Sequence, residues 1–360
     1  MNTVTLENIR KEFDDIVAVD GINLEVEAGE LLVLVGPSGC GKSTTLRMIA
    51  GLEAPTSGSV YIDDENVTEV VPQQRELSMV FQNYALYPHK SVKENLLFPL
   101  YKMDLTEAER EEKVQWVAEL LDITDLLEKD PGQLSGGERQ RVALGRTVVR
   151  EPGLYLMDEP LSNLDAELRV NTRSELRDLQ QELGTTTVYV THDQEEAMSI
   201  ADRLVVMNDG ELQQIGTPRE LYQDPTNRFV ASFIGEPRMS FLPARSNSGG
   251  EITVDIGGDV SLGVSVPRGA DVETLGIRPE SIFFEDGADP ESGELSTPIT
   301  MDVTTVDPLG HSYEVLLERG EGSLVGLLKQ PPEHDSVSVR LLLDKLYLFD
   351  AEGDRVEVIR

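Results

Sequence analysis

Between the apolar run Leu31-Leu32-Val33-Leu34-Val35 and the apolar-periodic segment Thr45-Leu46-Arg47-Met48-Ile49-Ala50 lies Gly36-Pro37-Ser38-Gly39-Cys40-Gly41-Lys42-Ser43. Strand, glycine loop and helix in that order form the context of a phosphate-binding loop, and few other sequence features commit a chain so firmly to one kind of α/β fold. Glycines there let successive backbone N–H groups turn toward one anion, while the following helix directs its partial positive end at the same point. Lys42 is then placed to reach the β- and γ-phosphates, and the Ser43 hydroxyl to hold Mg²⁺. Cys40, the only cysteine, excludes an intrachain disulfide. It reads as a small side chain fitted into the loop, with a modifiable thiol as the alternative.

At 360 residues the chain exceeds one ordinary core and divides into two expected domains. The sequence opens without a charged-then-apolar leader, and its uninterrupted apolar runs are strand-sized, short of the roughly 20 residues of a membrane span. The expectation is a cytoplasmic protein, or one attached to a membrane through partners. Acidic residues number 66 against 31 basic, for a formal net charge of −35 and a pI near 4.3. Nucleic acid is therefore not an expected partner. Acids recur along the whole chain, and only nine of the basic residues are Lys. Self-repulsion on this scale suits a salt-accumulating cytoplasm, where the Debye length shrinks to about 3 Å at 1 M. A merely acidic mesophilic protein is the alternative, distinguished by stability that does not depend on KCl.

Two strands are expected near Val4-Thr5-Leu6 and Ile22-Asn23-Leu24-Glu25-Val26, joined by a charged loop carrying Phe13. A short strand follows at Ser59-Val60-Tyr61-Ile62, and the pattern turns helical from about Tyr84 to Asp130. Strands at Leu154-Tyr155-Leu156-Met157, Thr185 to Val190 and Leu204-Val205-Val206-Met207 alternate with helices, the signature of a mainly parallel sheet with a helical insertion. Composition changes near Gly235-Glu236-Pro237 to short β-rich runs separated by Gly, Pro and Asp, which read as a small all-β barrel. Ser246-Asn247-Ser248-Gly249-Gly250 reads as a turn.

Two further motifs carry chemistry. The strand ending in Asp158-Glu159 delivers two carboxylates where ligands sit in open α/β sheets. Asp158 suits a Mg²⁺-bound water and Glu159 the water that attacks a γ-phosphate. Leu134-Ser135-Gly136-Gly137-Glu138-Arg139-Gln140-Arg141 opens a second helix, with free amides and the Ser135 hydroxyl as another anion site. One nucleotide needs only one such helix start, so the economical arrangement is a dimer sandwiching each nucleotide between the phosphate loop of one chain and the Ser-Gly-Gly of the other.

With these motifs in this order, the chain resembles the ATP-binding subunits of ABC transporters, similar to the ATPases of carbohydrate importers of the maltose and multiple-sugar type, with a haloarchaeal source as the expectation. The resemblance implies an α/β P-loop ATPase domain over residues 1–236, with a helical subdomain at about 84–152, followed by an OB-like (TOBE) regulatory domain over 237–360. It implies ATP and Mg²⁺ as cofactors. Phe13 would stack on adenine, and Ser38, Gly39, Cys40, Gly41, Lys42, Ser43 and Thr44 would hold the phosphates. Ser43, Gln82 and Asp158 would form the metal set, with Ser135, Gly136, Gly137 and Glu138 contributed across the dimer. Glu159, His192, Gln82 and Lys42 would be catalytic, and Asp165 would link the two sites. Glu138 stands where Gln is frequent, and the amides of Gly136 and Gly137 with the Ser135 hydroxyl, rather than its carboxylate, would face the γ-phosphate.

The stretches Ser232–Pro243 and Gly276-Ile277-Arg278-Pro279-Glu280 resemble the junction and core motif of the fused β domain, with Arg278 and Glu280 expected as a structural ion pair. The implied partners are a second copy or a related ATPase, two integral-membrane permease subunits and, indirectly, an extracellular solute-binding protein, with the chain peripheral on the cytoplasmic face of the membrane. Tyr84, Leu86, Tyr87, Pro88 and His89 form a candidate socket for permease helices, with core packing as the other reading. Carbohydrate is the expected cargo; polyamine, iron or another oxyanion is the alternative, and a soluble ABC ATPase a more distant one.

Overall fold

The computed structural model describes residues 2–82, 86–164, 166–285 and 292–358. Tyr84 and Asp165 lie outside the described residues. The chain separates into two compact units, Met1–Pro218 and Arg219–Arg360.

In the first unit, β1 (Val4–Phe13), β2 (Ile16–Val26), β4 (Ser57–Ile62) and β5 (Glu65–Asn66) form an antiparallel sheet in the order β2-β1-β4-β5. The expected two short strands are thus one long hairpin, and Phe13 ends β1 opposite Ile16 rather than lying in a loop. Three register shifts along β1 and the positive φ of Asn8 break its alternation, which is why polar residues such as Arg10 and Glu12 disguise it. The second sheet runs β10 (Glu211–Gly216), β9 (Arg203–Asn208), β3 (Leu31–Val35), β8 (Thr186–Thr191), β7 (Leu154–Asp158), β6 (Leu77–Val80). Its four pairings from β9 to β6 are parallel and β10 pairs antiparallel with β9. Strands β3 and β8 are buried along their whole length, as strands covered on both faces of a parallel sheet should be; β3 is wholly apolar, and β8 brings three threonines into that interior.

Helix α1 (Lys42–Ala50) follows β3; α2 (Val92–Leu97), α3 (Glu107–Leu120) and α4 (Gly136–Val148) form the helical insertion between β6 and β7. Helix α5 (Ala166–Leu183) connects β7 to β8, and α6 (Gln194–Ile200) connects β8 to β9. The N-termini of α2, α3 and α4 each carry a complete capping box, built on Ser91 with Glu94, Thr106 with Glu109, and Ser135 with Glu138. No helix among the described residues is long and apolar enough to cross a membrane.

The second unit begins at Arg219, within α7 (Pro218–Gln223), and continues into α8 (Arg228–Phe233). Among the described residues its strands are β11 (Ser240–Ser246), β12 (Glu251–Asp255), β13 (Asp259–Ser265), β14 (Thr274–Ile277), β15 (Ile282–Phe284), β16 (Ile299–Pro308), β17 (Tyr313–Arg319), β18 (Gly322–Leu328), β19 (Ser336–Leu341), β20 (Leu346–Phe349) and β21 (Arg355–Val356). They form two antiparallel sheets, β13-β12-β11-β14-β20-β21 and β15-β19-β16-β17-β18, around a core that includes Leu242, Ile277, Leu317 and Leu341. The segment 219–236, expected with the first domain, clusters with these strands. Arg278 is the reason: it is 1 % exposed, donates to the carbonyls of Ile234 and, at 3.0 Å, Tyr222, and lies 4.0 Å from the Tyr222 ring centre. The expected Arg278–Glu280 ion pair is replaced by a shared partner, since Glu280 accepts from the Tyr222 hydroxyl at 2.6 Å.

Candidate nucleotide site

The phosphate loop runs from β3 into α1. Gly36 and Gly41 are sterically required: a Cβ at Gly36 would lie 2.2 Å from the Met207 carbonyl, and one at Gly41 would lie 2.5 Å from that of Ala18. Gly41 also adopts φ 103, which an L side chain resists, and caps α1. Ser38 and Gly39 form the exposed crest, whereas Ser43 and Thr44 sit half-buried in the first turn of α1. The Lys42 ammonium is buried and donates to the carbonyls of Gly36 and Pro37, both at 2.8 Å. Cys40 is buried beneath the loop, and burial raises its thiol pKa, which favours the neutral form. That environment fits a packing side chain better than a reactive one.

At the C-terminal end of β7, the Ser43 hydroxyl donates to Asp158 Oδ1 at 2.8 Å. Burial raises the Asp158 pKa, the Ser43 bond opposes the rise and neighbouring Glu159 adds to it. A desolvated carboxylate beside a hydroxyl is an oxygen donor set suited to a small hard cation, so the residues present fit Mg²⁺.

Glu159 adopts φ 45 and donates its amide to Val190 O at 3.0 Å, so its side chain is set by a backbone conformation rare outside glycine. Its Oε2 receives Gln82 Nε2 at 3.1 Å and lies 3.2 Å from His192 Nδ1. Three of the residues expected from sequence, Gln82, Glu159 and His192, each just beyond the C-terminal end of β6, β7 or β8, therefore meet at one carboxylate. Asn163, in the stretch Ser162-Asn163-Leu164-Asp165 that the resemblance matches to the loop after the catalytic acid, donates Nδ2 to Gln82 O at 2.6 Å.

Phe13 stands at the hairpin tip, 44 % exposed, with Lys11 Nζ 4.7 Å from its ring centre. Lys11 is fixed by Glu53 at 2.6 Å and the Ala54 carbonyl at 2.8 Å. At the start of α4, Glu138 is engaged locally: its carboxylate accepts from Ser135 N at 2.6 Å, and its amide donates to Ser135 Oγ at 3.3 Å. Bonding to the ionised form holds its pKa below the usual range. The carboxylate thus serves the cap, while the amides of Gly136 and Gly137 and the Ser135 hydroxyl proton are the group's anion donors.

Tyr87 packs on Phe98 with ring centres 4.6 Å apart, and the Arg146 guanidinium lies 4.9 Å from the Tyr87 ring. These residues border a groove of about 320 Å³ that is also lined by Leu52, Phe81 and Ala143.

A family model described as ABC transporter matches residues 19–162. Over 98 % of this chain and 94 % of the relative, the sequence is 48 % identical to the xylose/arabinose import ATP-binding protein XacJ of Haloferax volcanii. The chain belongs to the ABC transporter family of ATP-binding proteins. This ABC ATPase is also 47 % identical to the sn-glycerol-3-phosphate import ATP-binding protein UgpC of Chromohalobacter salexigens, over 99 % of this chain and 96 % of that one. It is 44 % identical to the lactose transport ATP-binding protein LacK of Rhizobium radiobacter, over 99 % of this chain and all of that one. Among solved structures, the dimeric MJ0796, a bacterial ABC transporter cassette, shares 31 % identity with a TM-score of 0.54 over 60 % of this chain and 99 % of that one. An ABC ATPase binds and hydrolyses ATP, and in this family hydrolysis is coupled to transport.

Proposed function

We propose that this ABC ATPase energises import of a carbohydrate through two integral-membrane permease subunits. The observation that carries the reading is the meeting of Gln82 and His192 on Glu159, next to the Ser43–Asp158 pair and the phosphate loop. Adenine stacks on the free face of Phe13, whose other face is covered by Lys11. Amides of the phosphate loop, Lys42, Ser43 and Thr44 bind the phosphates, with Lys42 leaving the loop carbonyls for a stronger anionic partner. Ser43, Asp158 and the side-chain amide oxygen Oε1 of Gln82 would hold Mg²⁺, which would supply charge neutralisation of the phosphates. Glu159 accepts the proton of the attacking water, and Gln82 and His192 orient it and stabilise the transferred charge.

Each site is completed by Ser135, Gly136 and Gly137 of a second chain, a copy or a related ATPase, and Asp165 links the two sites. The groove beside Tyr87 takes a short helix of a permease, placing the chain peripherally on the cytoplasmic face. Sugar cargo is supported by relatives named for xylose/arabinose and lactose. The high acidic charge with few lysines supports a cytoplasm rich in salt. The test is uptake of labelled pentoses and disaccharides by a deletion strain carrying the wild-type gene, Glu159→Gln or Tyr87→Ala. Uptake restored by the wild type and by neither variant supports the reading; sugar uptake unaffected by the deletion refutes the cargo.

A further inference from the structure

Two hydrogen-bonded links start from one stretch of chain, the turn after Glu159 and helix α5, and end on the two loops that flank the Glu159 carboxylate. The first begins in the turn, where Ser162 donates its amide at 3.2 Å and its hydroxyl at 2.9 Å to the Glu159 carbonyl. The next residue, Asn163, sends Nδ2 to the carbonyl of Gln82 at 2.6 Å, 81 positions away in sequence. The Gln82 side chain then donates to Glu159 Oε2 at 3.1 Å. The turn thus holds Gln82 by its backbone while Gln82 meets the carboxylate by its side chain.

The second link begins at Arg173 on α5, whose side chain is 12 % exposed and donates Nη2 to Asp193 Oδ2 at 3.0 Å. Arg169 lies 3.5 Å from the same oxygen. The other carboxylate oxygen of Asp193 accepts from Glu196 N at 3.0 Å, and the Asp193 amide donates to Thr191 Oγ1 at 3.0 Å. His192 therefore lies between two residues joined to each other, one of which is clamped to α5, and its Nδ1 reaches the same Glu159 oxygen at 3.2 Å. A desolvated, charge-assisted clamp of this kind restricts the loop more than an exposed pair would.

We infer that Asn163 and Arg173 are positioning residues that hold Gln82 and His192 on Glu159, an inference that rests on the ATPase reading above. Neither side chain carries out a chemical step. Each sets the geometry of a group that does, and positional errors near 1 Å are costly in reactions governed by alignment.

The experiment compares wild type, Asn163→Ala, Asn163→Asp, Arg173→Ala, Arg173→Lys and Glu159→Gln in multimolar KCl. It reads kcat and KM for Mg-ATP, the affinity of a fluorescent ATP analogue and the melting temperature. We expect kcat of both alanine variants to fall on the order of 10- to 100-fold, with analogue affinity within about twofold of wild type. Arg173→Lys should recover part of the loss by keeping a donor toward Asp193. Asn163→Asp, which sets an acceptor against the Gln82 carbonyl at an exposed position, should be at least as slow as the alanine variant. Wild-type kcat in both alanine variants, or equal losses of kcat and affinity, would overturn the inference. If Glu159→Gln is inactive while the alanine variants are fully active, only the positioning inference falls; if Glu159→Gln hydrolyses ATP at the wild-type rate, the ATPase reading falls.

Discussion

Replacing Arg75 by Met should unfasten the helix that carries the phosphate-binding residues. Arg75 is 3 % exposed and donates to the carbonyls of Met48 at 2.8 Å, Ile49 at 2.6 Å, Val70 at 2.9 Å and Thr68 at 3.2 Å. Two of those acceptors belong to the last turn of α1, so a buried cation satisfies the end of the helix opposite Lys42 and Ser43 and complements its dipole. Burial lowers the Arg75 pKa, yet a guanidinium stays charged. Charge-assisted bonds contribute about 1.5–3 kcal/mol each, and the two to α1 are buried, giving a gross loss of about 3–6 kcal/mol. The Met48 carbonyl keeps the Gly51 amide at 3.1 Å as a second partner, and removing the ion relieves its desolvation. A net destabilisation of about 3–4 kcal/mol follows. For a unit of this size that lowers the melting temperature by roughly 10 °C. Denaturation should be followed with a probe confined to the first unit, since a two-unit chain need not unfold in one step. Arg75→Lys, with fewer directed donors, should fall between. A loss below about 1 kcal/mol for Arg75→Met, with ATP affinity intact, would refute the claim that the guanidinium fastens α1.

Phe13→Ala should weaken ATP binding on the order of tenfold, the value of one base–aromatic stack, with little change in kcat; titration with a fluorescent nucleotide reads it, and unchanged affinity would remove Phe13 from the base site. Glu196, buried beneath β8, has its pKa raised by desolvation, opposed by the Tyr189 hydroxyl bond. A raised folded pKa means stability that is complete below the ordinary carboxylate range and is lost as pH rises through the folded value. Glu196→Gln should therefore match wild type at acid pH and exceed it increasingly toward neutral pH in urea titrations, and a constant difference would contradict the assignment. Stability of the wild type should rise from 0.1 M to multimolar KCl as the screening length falls from about 10 Å to below 3 Å; a flat profile would mean that the charge of −35 is not a salt adaptation.

The parallel sheet was legible because β3 and most of β7 are continuous apolar runs and β8 has an apolar, β-branched and aromatic centre, Val188-Tyr189-Val190, and the site was legible because its motifs end those strands. Gln82, Glu159 and His192 stand at the ends of adjacent strands β6, β7 and β8, so one topological fact brings them together. What sequence concealed has physical causes. Strand β10, Glu211–Gly216, is an edge strand of mostly polar residues and gives no apolar signal. The β1–β2 hairpin hid behind its bulges. The turn at Ser246–Gly250 was visible, yet its staple was not: Asn247 Oδ1 accepts from the amides of Gly249 at 2.8 Å and Glu251 at 3.1 Å. Glu138 reads as part of a ligand motif, whereas its bond to Ser135 is the local chemistry of a helix start. Arg278 invites pairing with the nearby Glu280, but complete burial favours carbonyl acceptors, which carry no charge to desolvate. Links such as Asn163 to Gln82 join residues far apart in sequence and have no periodic signature.

The most direct test of the account is Mg-ATP hydrolysis in multimolar KCl by wild type and Glu159→Gln, with association followed by light scattering. Turnover by the wild type, together with a variant that is inactive yet dimerises on adding ATP, is the predicted result. Equal hydrolysis by both proteins would contradict the role of Glu159 as base, and a variant that stays monomeric with ATP bound would contradict the shared nucleotide site.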